Sequence, residues 1–404
     1  DGEIASEIKQ AADTPVSEYT RSRDYTRAGN EIVEKYVAAT APAGLMRPGI
    51  TPAARPPRII YTAMHGTGGD ITEQVFAAAK LPRLLRVASQ FEPDGDFPTV
   101  EFPNPEETGA LDAALQVARE LNADAIIAHD PDADRLAVAV PHKHSDKTGD
   151  WRILTGNEIG LLLGWRAAAR AKCRAQHPSE HPSNESSTVQ DTPPALACTI
   201  VSSPALRTVA EHYELAFYET LSGFKWVGRV PGLIFGFEEA LGYLVDPAKI
   251  GDKDGISAAA TIAAIINELH AEERTLLDKL DDASEKFGHF ASRQITVRLD
   301  TGEQVAALAD RLRTSPVDFI GGLAVRKYTD LLEDSNFTVP ANVLRYDLAG
   351  GARLMIRPSG TEPKLKIYLD VHAASGSLAE RKTAAAALLD QLETGARNLL
   401  QHAH

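Results

Sequence analysis

The chain is poor in cysteine, in long apolar runs and in positive charge, and each shortage excludes something. Two cysteines in 404 residues, Cys173 and Cys198, cannot build a disulfide scaffold. They bracket a polar stretch and read as free thiols of a cytoplasmic protein; nothing in the sequence supports a bridge between them. No apolar run reaches the length of a membrane span, so no membrane is expected as a partner. The start, Asp1-Gly2-Glu3-Ile4, is no signal peptide. It also lacks methionine, and the expectation is that further sequence precedes it. Lysine and arginine number 42 against 56 acidic residues, a net charge of −14. That balance argues against nonspecific binding of nucleic acid or anionic membrane. Any anion site must come from a local cationic cluster set against an unfavourable overall field. The remaining composition, 43% hydrophobic and 24% charged, is ordinary for a soluble globular protein. The length suits roughly two to four domains.

Strand and helix patterns alternate through most of the chain. Residues 1–50 read as helical and polar, with a Pro/Arg-rich connector over 42–58. A strand over 58–63 runs into the glycine turn His65-Gly66-Thr67-Gly68-Gly69, followed by a helix over 70–80. A strand at 84–88, a helix at 106–121 and a strand at 123–128 come next. A second alternation starts near Trp151, with helices over 156–172 and 254–269 and strands at 199–202, 215–219 and 233–237. Its 176–194 stretch, rich in Ser, Pro, His and Glu, reads as an exposed, mobile insertion. From about Gly288 the pattern changes to strands at 294–299 and 323–328, a hairpin around Gly350-Gly351, a strand at 364–371, and helices at 302–313 and 377–401. The expected fold is α/β. Two α/β domains with mixed, mostly parallel sheets (1–150 and 151–287) precede a smaller C-terminal α+β domain (288–404). The first two blocks are candidate structural cousins, although no sequence repeat is visible.

The most informative run is Asp130-Pro131-Asp132-Ala133-Asp134-Arg135, between the apolar stretches 123–127 and 136–140. Three carboxylates on one turn repel each other unless a cation sits among them. Magnesium suits oxygen ligands and leaves positions for phosphate oxygens. A solvated acidic turn is the plain alternative. An EF-hand is a poor fit, because Arg135 and Pro141 stand where its glycine and glutamate belong.

Further loops carry chemistry. Arg357-Pro358-Ser359-Gly360-Thr361-Glu362-Pro363-Lys364 supplies a guanidinium fork, two hydroxyls, a glycine N–H and a lysine, enough to surround a phosphate dianion. A polar hairpin turn is the alternative. Glu238-Glu239, ending the apolar stretch Phe235-Gly236-Phe237, can accept hydrogen bonds from sugar hydroxyls or act in acid–base chemistry; a solvated strand edge is the alternative. Lys225, in Gly223-Phe224-Lys225-Trp226, can pair with phosphate or have a depressed pKa, or merely snorkel over its aromatic neighbours. Gly251-Asp252-Lys253-Asp254-Gly255 reads as a turn and helix cap open to anions. His65 reads as support for its glycine turn.

In this order the loops resemble the α-D-phosphohexomutase superfamily, the phosphoglucomutases, phosphomannomutases and relatives. The resemblance covers nearly the whole chain, and its aspartate and phosphate loops are its most specific parts. It implies the second, third and fourth of four family domains. The first, with a phosphoserine in a Thr-Ala-Ser-His-Asn-Pro loop, has no counterpart here; Thr62-Ala63-Met64-His65 has methionine at the nucleophile's place. The implied reaction moves a phosphoryl group between a phosphoserine outside these residues and a sugar phosphate substrate, through a sugar bisphosphate. Asp130, Asp132 and Asp134 would hold Mg2+, and Arg135 would lie beside the transferring group. Lys225 would assist proton movement or phosphate contact. Glu238, with Glu239, would bind the sugar, and Arg357, Ser359, Gly360 and Thr361 would clamp the other phosphate.

One departure affects the sugar. Ala240 stands where many hexose-specific members have serine, so one hydroxyl contact is lost or replaced by backbone. The loops look more like the branch with glucose- and pentose-phosphate mutases. A phosphopentomutase is therefore an alternative to a phosphoglucomutase or phosphomannomutase. A haloacid-dehalogenase-like phosphatase, with its own D-x-D, and a non-catalytic sugar-phosphate binding module are the other rivals. Without a seryl nucleophile these residues alone are expected to be inactive. The sequence sets no oligomeric state.

Overall fold

The computed structural model describes residues 2–142, 150–176, 192–334, 339–359 and 363–403. The expected insertion at 176–194 falls mostly on 177–191, outside the described residues. Within them, three sheets carry the fold. The first contains β1 (Ile59–Thr62), β2 (Leu84–Arg86), β3 (Ala125–Ala128), β4 (Ala137–Pro141) and β5 (Trp151–Ile153), in the order β2-β1-β3-β4-β5. The second contains β6 (Ala195–Thr199), β7 (Ala216–Thr220), β8 (Leu233–Glu238) and β9 (Gly242–Leu244), in the order β7-β6-β8-β9. The two share one plan. In each, the first strand pairs in parallel with the next two, and the third turns back antiparallel into the fourth. The cousin relation is therefore topological. Their central strands β1, β3 and β6 are buried at every residue, as expected when helices cover both faces of a parallel layer.

The third sheet is wholly antiparallel. It contains β10 (His289–Arg298), β11 (Phe319–Ile320), β12 (Leu323–Asp330), β13 (Leu344–Leu348), β14 (Ala352–Pro358) and β15 (Lys364–Ala373), in the order β10-β15-β14-β13-β12-β11. Alternation along β14 and β15 assigns its faces. Leu354, Ile356, Leu365, Ile367 and Leu369 enter a core with the helices Gly302–Thr314 and Leu378–Ala403. Met355 and Tyr368 point the other way, into a small apolar cluster with Ile200 and Val201 of the second sheet's domain.

Several expected elements shift, for local reasons. Among the described residues of the 1–50 region there are two α-helices, Gly2–Ala12 and Glu31–Thr40, because the residues between them bury almost nothing. The helix expected from 106 starts at Asp112, after a turn at Gly109 (φ 85°). The strand expected at 199–202 is β6, displaced toward the N-terminus. Helices Ala205–Tyr213 and Leu276–Phe287 and the short strands β5 and β9 were not anticipated. Both cysteines are free, Cys198 buried in β6 and Cys173 exposed.

Buried polar contacts join the first two domains. Arg166 donates to both oxygens of Glu268, at 3.0 and 2.9 Å, and Arg47 donates to the same carboxylate from its backbone N–H and Nε. Tyr36 donates to Asp254, which caps helix Gly255–Ala271 through the N–H groups of Ile256 and Ser257. No described helix is long and apolar enough to cross a membrane.

Candidate active site

Because the first two sheets share a plan, their acidic loops occupy equivalent places, each between the third strand and its antiparallel return. Residues 129–136 follow β3, and residues 239–241 follow β8. The loops meet directly. Arg135 bridges Gly242, Leu136 donates its N–H to the Leu241 carbonyl at 3.0 Å, and Gly255 donates to the Ala133 carbonyl at 3.1 Å. A Cβ on Gly255 would lie 2.3 Å from the Arg135 carbonyl oxygen, so only glycine permits this approach.

The glycine turn after β1 buttresses the aspartate loop. Thr67 donates its N–H to the Pro131 carbonyl at 2.8 Å, and a Cβ on Gly66 would fall 2.3 Å from Pro131 backbone atoms. Ala133 is left-handed (φ 57°). Within this turn the three carboxylates present ligand oxygens all within 4.8 Å of one another. Asp130 is buried and accepts from the Arg135 N–H at 3.0 Å. Burial raises its carboxyl to about 7 against that N–H, with the Asp134 and Asp132 charges adding to the rise. Asp134 is paired through Oδ2 with Lys253, while its buried Oδ1 has no hydrogen-bond partner among the described residues. A carboxylate oxygen without a hydrogen bond, 3.9 Å from Arg135 Nε and beside two further hard oxygen donors, fits a magnesium ion.

His65 is buried and bonds Thr99 Oγ1 at 2.8 Å, a supporting role. His129 was missed by the sequence reading. It is fully buried, its Nε2 donates to the Gly255 carbonyl at 3.0 Å, and its Nδ1 meets the Tyr61 hydroxyl at 3.0 Å. Burial holds the ring down at about 4, so it is neutral at pH 7. Nothing in the local sequence marks a partner 126 residues away.

The three domains surround one cleft of about 1140 Å³, just above the roughly 300–1,000 Å³ usual for small-molecule sites. Asp130, Asp132 and Arg135 form one wall, and Glu238, Glu239 and Ala240 a second. Burial, then the Glu239 charge, raises Glu238 to about 7. Glu239 is held: its Oε2 accepts from Thr199 Oγ1 at 3.2 Å and Ser202 Oγ at 3.1 Å, and its N–H donates to Ser202 Oγ. The third wall is cationic, with Arg298, Arg357, Lys364 and Lys366 beside Ser359. Arg357 and Lys366 are directly opposite in the β14–β15 register. Like charges facing across an antiparallel pair repel, and an anion between them relieves the repulsion.

Not every expected residue reaches the cleft. Lys225 is exposed on helix Phe224–Val227, its ammonium 5.6 Å from the Trp226 ring centre, and it is not on the wall. Asp134 stands behind the wall, against Lys253. Gly360 and Thr361 lie outside the described residues. Lys366 and Arg298 were missed, although the alternation Lys364-Leu365-Lys366-Ile367-Tyr368 signals one polar strand face. The turn and cap read at 251–255 is present, and the anion that Lys253 within it meets is the Asp134 carboxylate of this chain.

Comparison with known proteins converges with this geometry. The chain is 41% identical over 405 residues to a probable phosphomannomutase of Haemophilus influenzae (strain ATCC 51907 / DSM 11121 / KW20 / Rd), covering 99% of this chain and 75% of that protein. It is 32% identical to a Homo sapiens phosphopentomutase over 79% of this chain, but spans only 54% of that relative's length. The fold matches a solved phosphoglucomutase/phosphomannomutase family protein from Burkholderia thailandensis with a TM-score of 0.66 at 17% identity, covering 100% of this chain and 70% of that one. Family models described as phosphoglucomutase/phosphomannomutase alpha/beta/alpha domain II, alpha/beta/alpha domain III and C-terminal domain match residues 34–143, 156–287 and 295–388. With both acidic loops and the cationic wall inside those spans, the chain belongs to the phosphoglucomutase/phosphomannomutase family.

Proposed function

We propose that these residues form the sugar- and metal-binding part of an intramolecular phosphotransferase, an isomerase that moves phosphate between two positions of a sugar through a sugar bisphosphate. The observation that supports it best is the make-up of the cleft: Asp130, Asp132, Glu238 and Glu239, suited to a cation and to hydroxyls, line the same space as Arg298, Arg357, Lys364 and Lys366, suited to phosphate. The three domains are taken as residues 1–150, 151–287 and 288–404. Asp130, Asp132 and Asp134 are the magnesium ligands, and a cation bound there would stabilise charge on the transferring phosphoryl group. Arg135 lies beside that group. Glu238 binds sugar hydroxyls and Glu239 shapes its loop. Arg357 and Ser359, with Gly360 and Thr361, hold the phosphate that is not transferred, and Lys366 adds charge to that clamp. Lys225, two residues after the cleft-lining Gly223, contacts phosphate or assists proton movement. The phosphoryl-bearing serine comes from outside these residues, and the protein works in the cytoplasm.

The substrate is the 1- or 6-phosphate of glucose or mannose. A pentose phosphate is the second reading, favoured by Ala240 on the sugar wall and by the phosphopentomutase relative. The family assignment leaves the haloacid-dehalogenase rival without support.

Calorimetric titration with glucose, mannose and ribose 1-phosphates and with inorganic phosphate tests the assignment. Arg357→Ala should abolish detectable sugar-phosphate binding, and Arg357→Lys should recover little, because lysine cannot form the fork. Glu238→Gln should weaken sugar phosphates but not inorganic phosphate. Arg357→Ala binding as tightly as the parent would make the loop a structural hairpin.

A further inference from the structure

We propose that Arg353 is a positioning residue that fixes the distance between the phosphate clamp and the sugar-binding carboxylates, an inference that rests on the function proposed above. Arg353 lies on β14, four residues before Arg357 and on the same face. It is 5% exposed and sits directly opposite Asp370 of β15. Its Nη2 donates at 2.6 Å both to Asp370 Oδ2 and to the backbone carbonyl of Ser202. Nε donates to the same Asp370 oxygen at 3.2 Å, and Nη1 lies 3.5 Å from Glu219 Oε1. Ser292 Oγ donates to the other Asp370 oxygen at 2.7 Å.

Ser202 is the junction. Its carbonyl receives Arg353, while its hydroxyl holds both the carboxylate and the N–H of Glu239. One residue thus ties the strand of the clamp to the loop of Glu238 and Glu239. The pair is buried, so neither charge is solvated in compensation if the contact opens. The lever is long. Four strand residues span about 13 Å, so a 10° tilt of β14 about Arg353 displaces Arg357 by about 2 Å. Misplacement of about 1 Å in a positioned site can cost about a hundredfold.

A ligand that spans both groups needs their spacing; one that touches the clamp alone does not. This difference separates positioning from general destabilisation. The parent, Arg353→Met and Arg353→Lys are titrated with the sugar 1-phosphate the parent binds best and with inorganic phosphate, and their melting is recorded. Arg353→Met should bind the sugar phosphate about 10-fold more weakly or worse, and inorganic phosphate within about twofold of the parent. Arg353→Lys keeps a charge beside Asp370 but loses the planar guanidinium that reaches both Asp370 and the Ser202 carbonyl, and should fall between. If Arg353→Met does not fold, Arg353→Lys decides by the same split. Parallel loss of both ligands, or no loss of either, in a folded variant overturns the proposal. A parent that binds no sugar phosphate better than inorganic phosphate overturns the functional reading itself, and with it this proposal.

Discussion

Replacing Asp132 with asparagine should change sign with magnesium. The three carboxylates lie within 4.8 Å of one another, so without a metal each bare like-charged pair would cost about 1 kcal/mol at the dielectric of water and about 3.5 kcal/mol at an effective value of 20, less what Arg135, 3.4 Å from Asp130, and Lys253, paired with Asp134, offset. Asp132 is exposed, which places its two pairs near the lower figure, and salt lowers it further. In a chelator, Asp132→Asn should therefore be more stable than the parent by about 1 kcal/mol. With magnesium at about ten times its dissociation constant, linkage adds about 1.4 kcal/mol to the parent. The variant, lacking one ligand, gains less, so the order closes or inverts. Urea unfolding in chelator and in magnesium measures both arms, with Trp151 on β5 reporting on the sheet that carries the loop. A variant less stable than the parent in chelator, with equal magnesium responses, would refute the argument from clustered charge.

Gly66→Ala places a Cβ 2.3 Å from Pro131 backbone that cannot rotate away. It should cost about 1–3 kcal/mol in urea unfolding and weaken the magnesium response; a change with neither effect would remove the glycine turn's buttressing role. Glu238, raised to about 7 from an ordinary 4.5, holds a proton in the folded state that the unfolded state has released. Its contribution is full below about 4.5 and is lost as pH rises through about 7, so stability should fall across that window. Asp130 titrates in the same range, so the difference between parent and Glu238→Gln isolates the effect, and identical pH profiles would contradict it.

The sequence made the chemistry of the loops legible and left their meeting hidden. Asp130, Glu238 and Arg357 each end or follow an apolar strand whose period marks the face, so the polar residue at its end is easy to find. Their convergence depends on the order β2-β1-β3-β4 and its repeat in β7-β6-β8-β9, which no local pattern records. Short edge strands such as β5 and β9 escaped for the same reason, since pairing with a long neighbour creates them. His129, Lys253 and Arg353 act through partners more than a hundred residues away. Lys366 is the exception: its alternation was visible, but the cationic facing of Arg357 required the register.

The most direct test of the account follows phosphorus. A polypeptide of these 404 residues is incubated with magnesium, a sugar 1-phosphate and a trace of the corresponding sugar bisphosphate, and 31P NMR records the products before and after addition of a family first domain carrying phosphoserine. The account predicts neither isomerisation nor inorganic phosphate at first. After the addition it predicts phosphate appearing at the sugar's other position, and none of this with Arg357→Ala. Steady, Asp130-dependent release of inorganic phosphate by the 404 residues alone would contradict it.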